Sequence, residues 1–312
     1  MLRVALVGAG GMGREHGRAF AAIPGIVVAG VHSRTRARAE GLAAELQVDL
    51  VVDDLGELQA RTGADLVVVA VPELEANRVA KLCFRQDWAV LLEKPAGYDL
   101  ADAEDIAAAA QGRAKPVMVG LNRRFYASTL AAKTDLDGRA GRRYIQLQDQ
   151  QSYAEARHHG HPPQVVERFM YANSIHIIDY AMNFGRGEIS QVTPLLPWRG
   201  EDTDVCVVKI DFDSGDVALY EGLWRGPGPW ACAVSTPGRR WVLQPLEQAR
   251  FQNAGERRTN EVSADAADVQ YKAGFLRQAE AVVARVRGEP STAVSLDESL
   301  RTMRLIQRMF GV

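Results

Sequence analysis

The sequence predicts an α/β protein: an N-terminal Rossmann domain on a doubly wound parallel sheet, then a C-terminal α+β domain with an open, mostly antiparallel sheet. Three observations carry this expectation. The segment from Val4 to Gly13 runs a buried-type strand straight into G-x-G-x-x-G and on into a helical pattern. Short apolar runs then alternate with amphipathic stretches as far as residue 121, the signature of βαβ units. Beyond that point the apolar runs lengthen, and Asp213-Ser214-Gly215-Asp216 and Thr236-Pro237-Gly238 read as hairpin turns. The expected domains are 1–121 and 122–312.

In chain order, the first domain should hold strands over residues 2–7, 26–31, 50–52, 66–71, 89–92 and 116–120, each short and rich in Val, Leu or Ile. Helices are expected at 12–23, 36–46, 55–61, 75–86 and 100–110, where apolar residues recur at helical spacing. In the second domain, strands are expected at 144–153, 205–212, 217–224, 231–235 and 241–243, with helices at 169–183, 271–287 and 297–310.

Composition narrows the partners. The 312 residues are 47% hydrophobic, enough for two ordinary cores, and 37 basic against 39 acidic side chains leave a formal charge of −2. The basic residues are scattered, so neither nucleic acid nor an anionic membrane is an expected partner. Cys83, Cys206 and Cys232 are too far apart for a metal knuckle and odd in number for a disulfide framework, so no metal is expected and a reducing compartment fits best. A strand beginning at Leu2 leaves no room for a secretory signal, and no apolar run approaches the roughly 20 residues of a membrane span. A cytoplasmic protein is expected.

The glycine turn specifies a dinucleotide site. Gly8 permits the tight turn, Gly10 lets a pyrophosphate approach the backbone, and Gly13 allows helix and strand to pack closely. Gly11 and Met12 open the helix whose unpaired amides face the phosphates. At the end of the second strand, where an acidic residue would grip a ribose 2′-hydroxyl, stand Ser33 and Arg34, with Arg36 and Arg38 nearby. A guanidinium suits a 2′-phosphate, which favours NADP over NAD; the alternative is that these arginines only solvate the second helix. Val71 and Pro72 follow the fourth strand at the carboxyl edge of the sheet, where ligands of such folds bind, and shape an apolar wall there.

Glu93-Lys94-Pro95 follows the fifth strand at the same edge. Proline restricts Lys94 to extended backbone and so directs its amine. Beside an oxidised nicotinamide, the neighbouring positive charge would lower the lysine pKa and make it a competent proton relay or hydrogen-bond donor.

With these motifs in view, the chain resembles the Gfo/Idh/MocA oxidoreductases, the glucose-fructose oxidoreductase and inositol dehydrogenase family. The resemblance rests on Gly8 to Gly13, Val71-Pro72, Glu93-Lys94-Pro95, Gly120 to Phe125, Ser174 to Asp179 and the closing pattern from Phe275 to Met309. It implies an NAD- or NADP-binding first domain that also uses Glu93 and Lys94, and a second domain that binds substrate and mediates homodimer or homotetramer contacts. Lys94 and His176 would face the nicotinamide across the substrate pocket as the catalytic pair. Arg123, Tyr153 and Asn173 are candidate substrate contacts, together with Lys94 and His176. The expected reaction is hydride transfer between nicotinamide and a hydroxyl or carbonyl carbon of a sugar or cyclitol derivative.

One departure qualifies this. Members of the family commonly carry an aspartate four residues before the histidine, one helical turn away; here that residue is Ala172. Tyr171 or Asn173 would supply hydrogen bonds without charge, and Asp179 shares a helix face with His176 or anchors the helix. The missing carboxylate motivates two alternatives: a dinucleotide-binding regulator without turnover, and a redox-neutral enzyme that uses its cofactor transiently. His158, His159 and His161 are read as a mobile rim rather than a metal site. Trp198, Trp224, Trp230 and Trp241 are read as core or interface residues in preference to a sugar-stacking platform.

Overall fold

In the computed structural model, which describes residues 1–312, β1 (Leu2–Val7), β2 (Ile26–His32), β3 (Val51–Val52), β4 (Leu66–Val69), β5 (Ala89–Glu93) and β6 (Val117–Gly120) form one parallel sheet. Its order, β3-β2-β1-β4-β5-β6, reverses direction between β1 and β4, which creates a crevice at the carboxyl edge. Between the strands run α1 (Gly11–Ala21), α2 (Arg36–Leu46), α3 (Leu55–Thr62), α4 (Glu73–Phe84) and α5 (Leu100–Ala110). Every residue of β4 is buried, and β1 and β5 have one half-buried residue each, as expected for strands covered by helices on both faces. The fourth strand ends at Val69, two residues before the expected limit, and Pro72 caps α4.

The second sheet has eight strands. After α6 (Ala127–Asp137) come β7 (Tyr144–Gln150), α7 (Tyr153–His158), α8 (Pro163–Glu167), a π-helical turn (Met170–Ser174) and α9 (Ile175–Phe184). They are followed by β8 (Ile189–Leu196), β9 (Val205–Phe212), β10 (Val217–Leu223), β11 (Ala231–Ser235), β12 (Arg239–Leu243), β13 (Ala249–Asn253) and β14 (Asn260–Val262). The order β14-β13-β12-β11-β7-β10-β9-β8 is antiparallel apart from the β7–β10 pair. Alternation is regular in β7 and β9: β9 buries Cys206, Val208, Ile210 and Phe212 on one face, while β7 buries Ile145, Leu147 and, unusually, Asp149.

Some elements differ from expectation. Tyr153 starts a helix instead of ending a strand, because Ser152 caps that helix by accepting from the Glu155 amide. The sequence reading missed β8, whose Pro194 is tolerated because β8 is an edge strand. The expected helix over 169–183 divides into the π-turn and α9.

The chain ends in α10 (Ala266–Gln270), α11 (Phe275–Val286) and α12 (Leu296–Phe310). Two compact units result, residues 1–122 with 267–301, and residues 123–266 with 302–312. Residues 267–301, which the sequence reading grouped with the second domain, thus cluster with the first unit. There Phe275, Ala279, Val282 and Val283 of α11 join the Rossmann core with Leu6, Phe20 and Leu66. No helix is long and apolar enough to cross a membrane.

Two local constraints set these units. In the first, a Cβ on Gly13 would lie 2.0 Å from the Gly8 carbonyl oxygen, and one on Gly8, which has φ +106°, would lie 2.0 Å from that of Ala70. Gly13→Ala should therefore cost about 2–3 kcal/mol through forced backbone shifts, whereas Gly10→Ala, which meets open space, should cost less than about 1 kcal/mol. Urea unfolding of the two variants side by side checks this difference. In the second unit, Arg124 grips Asp179 through two bonds of 2.6 and 2.7 Å, and Thr302 donates to the same carboxylate at 2.9 Å. Both charges are largely buried, so Asp179→Asn should lower stability by about 3 kcal/mol, measured as a drop in the unfolding midpoint of the second unit.

Candidate functional site

The first unit carries a cleft of about 180 Å³ at the carboxyl edge of the parallel sheet. Its lining includes Gly8 and Gly10, Val71 and Pro72, Ser33, Arg34 and Arg38, and one carboxylate, Glu75. Gly10 and Gly11 have nothing within 4 Å of where a Cβ would stand, so a ligand can approach their backbone. No acidic residue occupies the first turn of α1, and no side chain caps it. An open glycine backbone at a helix N-terminus, with no carboxylate in its first turn, fits a dinucleotide pyrophosphate. Met12 lies in that first turn, 37% exposed, and Gly13 is buried behind it.

No carboxylate follows directly after β2, where Ser33 and Arg34 stand. Arg34 stands 3.6 Å from Glu75, while Arg36 is spent elsewhere, on Glu40 at 2.9 Å and Asp53 at 2.6 Å. Of the arginines singled out in the sequence, Arg34 and Arg38 therefore line the cleft and Arg36 does not.

Glu93 and Lys94 stand at the end of β5, outside the lining of that cleft. The Glu93 carboxylate has two tasks: Oε1 accepts from His16 Nε2 at 2.7 Å, and Oε2 accepts the Lys94 amide at 3.1 Å. Lys94 is half-buried and its peptide bond to Pro95 is cis. His16, on the buried face of α1, is fully enclosed and packs in a tilted contact with the Phe275 ring, centroids 4.7 Å apart. The sequence reading missed His16. Its signal was a polar residue on the inward face of an apolar helix, three positions after Gly13.

In the second unit His176 opens α9, directly after the π-turn, and is 6% exposed. A π-turn holds more residues than an α-turn, so the four-residue spacing from Ala172 is not the single α-turn the sequence implied. Tyr171 is directed elsewhere, its hydroxyl donating to the Val312 carbonyl at 2.9 Å. Asp179 is the anchor for Arg124 and Thr302, one of the two roles expected for it. Asn173, half-buried, donates from Nδ2 to Gln151 Oε1 at 2.9 Å.

Arg123 lays its guanidinium over the Trp230 ring, 4.2 Å from the centroid, and its buried Nη1 has no hydrogen-bond partner. Trp230 is pinned by a 2.6 Å bond from Nε1 to the Gln150 carbonyl. Tyr153 borders two open clefts of about 810 and 510 Å³ and packs 5.0 Å from Trp224. Burial raises its hydroxyl pKa, so it acts as a neutral hydrogen-bonding group. Trp198 and Trp224 pack in a tilted pair with ring centroids 4.6 Å apart, each also lining one of these clefts, and Trp241 donates to Asp135 at 2.8 Å. His161 packs on Phe169, and His158 ends α7.

Beneath Asn173 lies a carboxylate the sequence reading did not single out. Asp149 is fully buried, accepting from Gln151 Nε2 at 2.6 Å and from the Tyr220 hydroxyl at 2.8 Å. Burial pushes its pKa up to about 6, against the hydrogen bonds it accepts and the Arg123 charge, which pull it down.

Comparison with known proteins agrees with this geometry. Residues 2–121 match the Gfo/Idh/MocA model, described as an oxidoreductase family with an NAD-binding Rossmann fold. The chain is 25% identical over 309 residues to 4-carboxy-2-hydroxymuconate-6-semialdehyde dehydrogenase of a Sphingobium species, covering 94% of each protein. It is 32% identical over 202 residues to inositol 2-dehydrogenase of Streptomyces avermitilis, covering 63% of this chain and 57% of that one. Among solved structures, levoglucosan dehydrogenase in complex with NADH and levoglucosan superposes with a TM-score of 0.80 at 17% identity, over 99% of this chain and 96% of that one. At that identity the likeness is one of fold. Residues 2–121 thus match the NAD-binding Rossmann unit of the Gfo/Idh/MocA oxidoreductases, and the whole chain shares the fold of levoglucosan dehydrogenase.

Proposed function

We propose that the protein is an NAD(P)-dependent dehydrogenase that moves a hydride between nicotinamide and a carbinol or carbonyl carbon of a sugar or cyclitol derivative. The observation that carries this is the combination of an open glycine turn with a half-buried lysine whose main chain is held by the Glu93–His16 pair. The cofactor, bound along Gly8, Gly10, Gly11 and Met12, supplies the hydride acceptor. In oxidation, His176 takes the substrate hydroxyl proton. Lys94 donates a hydrogen bond to the same oxygen and stabilises the negative charge that develops there. In reduction the proton returns by the same groups. Asn173, Tyr153 and Arg123 orient the substrate. Lys94→Ala should lower kcat by about 100-fold or more while NAD(P)H binding, followed by fluorescence, stays within about threefold. Unimpaired turnover would remove Lys94 from the mechanism.

A preference for NADP is the finer part of the proposal. Ser33, Arg34 and Arg38 offer a hydroxyl and two guanidinium groups where an NAD-selective site would offer a carboxylate. Arg34 is 80% exposed and so available to a 2′-phosphate. Nearby Glu75 moderates this, its pKa lowered chiefly by its bond to Arg78. Arg34→Ala should weaken NADP binding about tenfold and leave NAD binding nearly unchanged, by titration of both cofactors. Tenfold tighter binding of NAD by the unaltered protein would reverse the preference.

A second substrate reading is favoured by Arg123. Its buried Nη1 lacks a partner, which suits a carboxylate on the substrate, such as that named for the Sphingobium relative. For assembly, a homodimer or homotetramer through the half-buried Val207, Leu219 and Leu223 on the outer face of the second sheet fits their apolar character.

A further inference from the structure

We infer that Asp149 is a positioning residue: acting through Gln151, it fixes which end of the Asn173 amide faces the ligand, so that this position offers a hydrogen-bond acceptor to a substrate hydroxyl. The argument is one of donor and acceptor order. An ionised carboxylate only accepts, so the Gln151 amide must turn its NH₂ toward Asp149 Oδ1, the 2.6 Å bond observed. That leaves Gln151 Oε1 facing Asn173, where it can be satisfied only by the Asn173 NH₂, at 2.9 Å. Asn173 is thereby left with Oδ1, a carbonyl oxygen with no protein donor, on a half-buried residue one position from Ala172.

The rest of the chain is closed against reversal. Asp149 is 0% exposed and Gln151 2%, so water does not offer either an alternative partner. Tyr220, also enclosed, commits its hydroxyl hydrogen to Asp149 Oδ2 at 2.8 Å, and the nearby Arg123 charge favours the ionised carboxylate. Gln151 is fixed at its backbone, its amide donating to the Leu223 carbonyl at 2.7 Å. An apolar residue would satisfy the β7 register, in which Ile145 and Leu147 precede it. A buried carboxylate costs stability unless its bonds are all made, and here each one sets the polarity of the next.

The use of Asn173 as a ligand contact rests on the dehydrogenase reading above; the ordered chain itself does not. A double-mutant cycle separates the two. In Asn173→Asp, carboxylates stand at both ends of Gln151, whose single NH₂ can serve only one, and the thermal midpoint should fall by about 3–5 °C. Adding Asp149→Asn lets residue 149 donate to Gln151 Oε1 and Gln151 donate to residue 173, so the double variant should regain most of that loss. Additive shifts, with no recovery, would overturn the inference. For function, Gln151→Met breaks the middle link while leaving Asn173 in place. With myo-inositol as probe, its KM should rise about tenfold with kcat within about threefold. A fall in kcat at unchanged KM would overturn the ligand-facing role of Asn173. If the unaltered protein oxidises neither myo-inositol nor levoglucosan, the dehydrogenase reading fails for these polyols, and the stability cycle still decides the chain.

Discussion

The absence of side-chain atoms at Gly8 and Gly13 is the constraint on which the first unit depends. With a hydrogen in place of Cβ at both positions, α1 comes down against the end of β1 and beside Ala70 at a distance no other residue allows. That approach brings the start of α1 to the carboxyl edge between β1 and β4, where the strand order reverses. Everything assigned to cofactor binding follows from it. Gly8 and Gly10 line the crevice there, and the β2 end supplies Ser33 and Arg34 to it.

Buried polar groups are the second organising principle, and each solves a different problem. His16 and Glu93 join α1 to the turn after β5, so the helix that would hold the pyrophosphate also braces the main chain of Lys94. Arg124, Asp179 and Thr302 lock α9 in place, with three bonds to one carboxylate. Asp149 differs, because it is fully buried and the Gln151 amide and Tyr220 hydroxyl bonded to it are both neutral. A group retained at such a cost is better explained by the orientation it imposes than by the stability it contributes.

Much of the architecture was legible because periodicity reports burial directly. The parallel strands read as apolar runs, and β9 and β10 showed their alternation and the hairpin turn between them. Elements failed to read where one signal opposed another. Pro194 concealed β8, and Ser152 ended β7 early by capping a helix whose residues carry a strand-like Tyr153. Of the candidate site, Gly8, Gly10, Ser33, Arg34, Arg38, Val71 and Pro72 line one cleft. Arg36 did not, because Glu40 one turn along its helix and Asp53 after β3 capture it.

The sequence by itself determined the things that depend on neighbouring residues along the chain: the strand-turn-helix at Gly8 to Gly13, the strand edge carrying Lys94, and the apolar helix bearing His176. Hydrogen-bond partners joined across long loops were decided only by tertiary structure. His16 meets Glu93 across 77 positions, Tyr220 meets Asp149 across 71, and Gln151 meets Asn173 across 22. No local pattern specifies such pairs, since a buried donor accepts whichever acceptor the packing of the sheets brings within reach. For the same reason the sequence could show that a carboxylate is missing at Ala172, but not that another lies buried two hydrogen bonds behind Asn173.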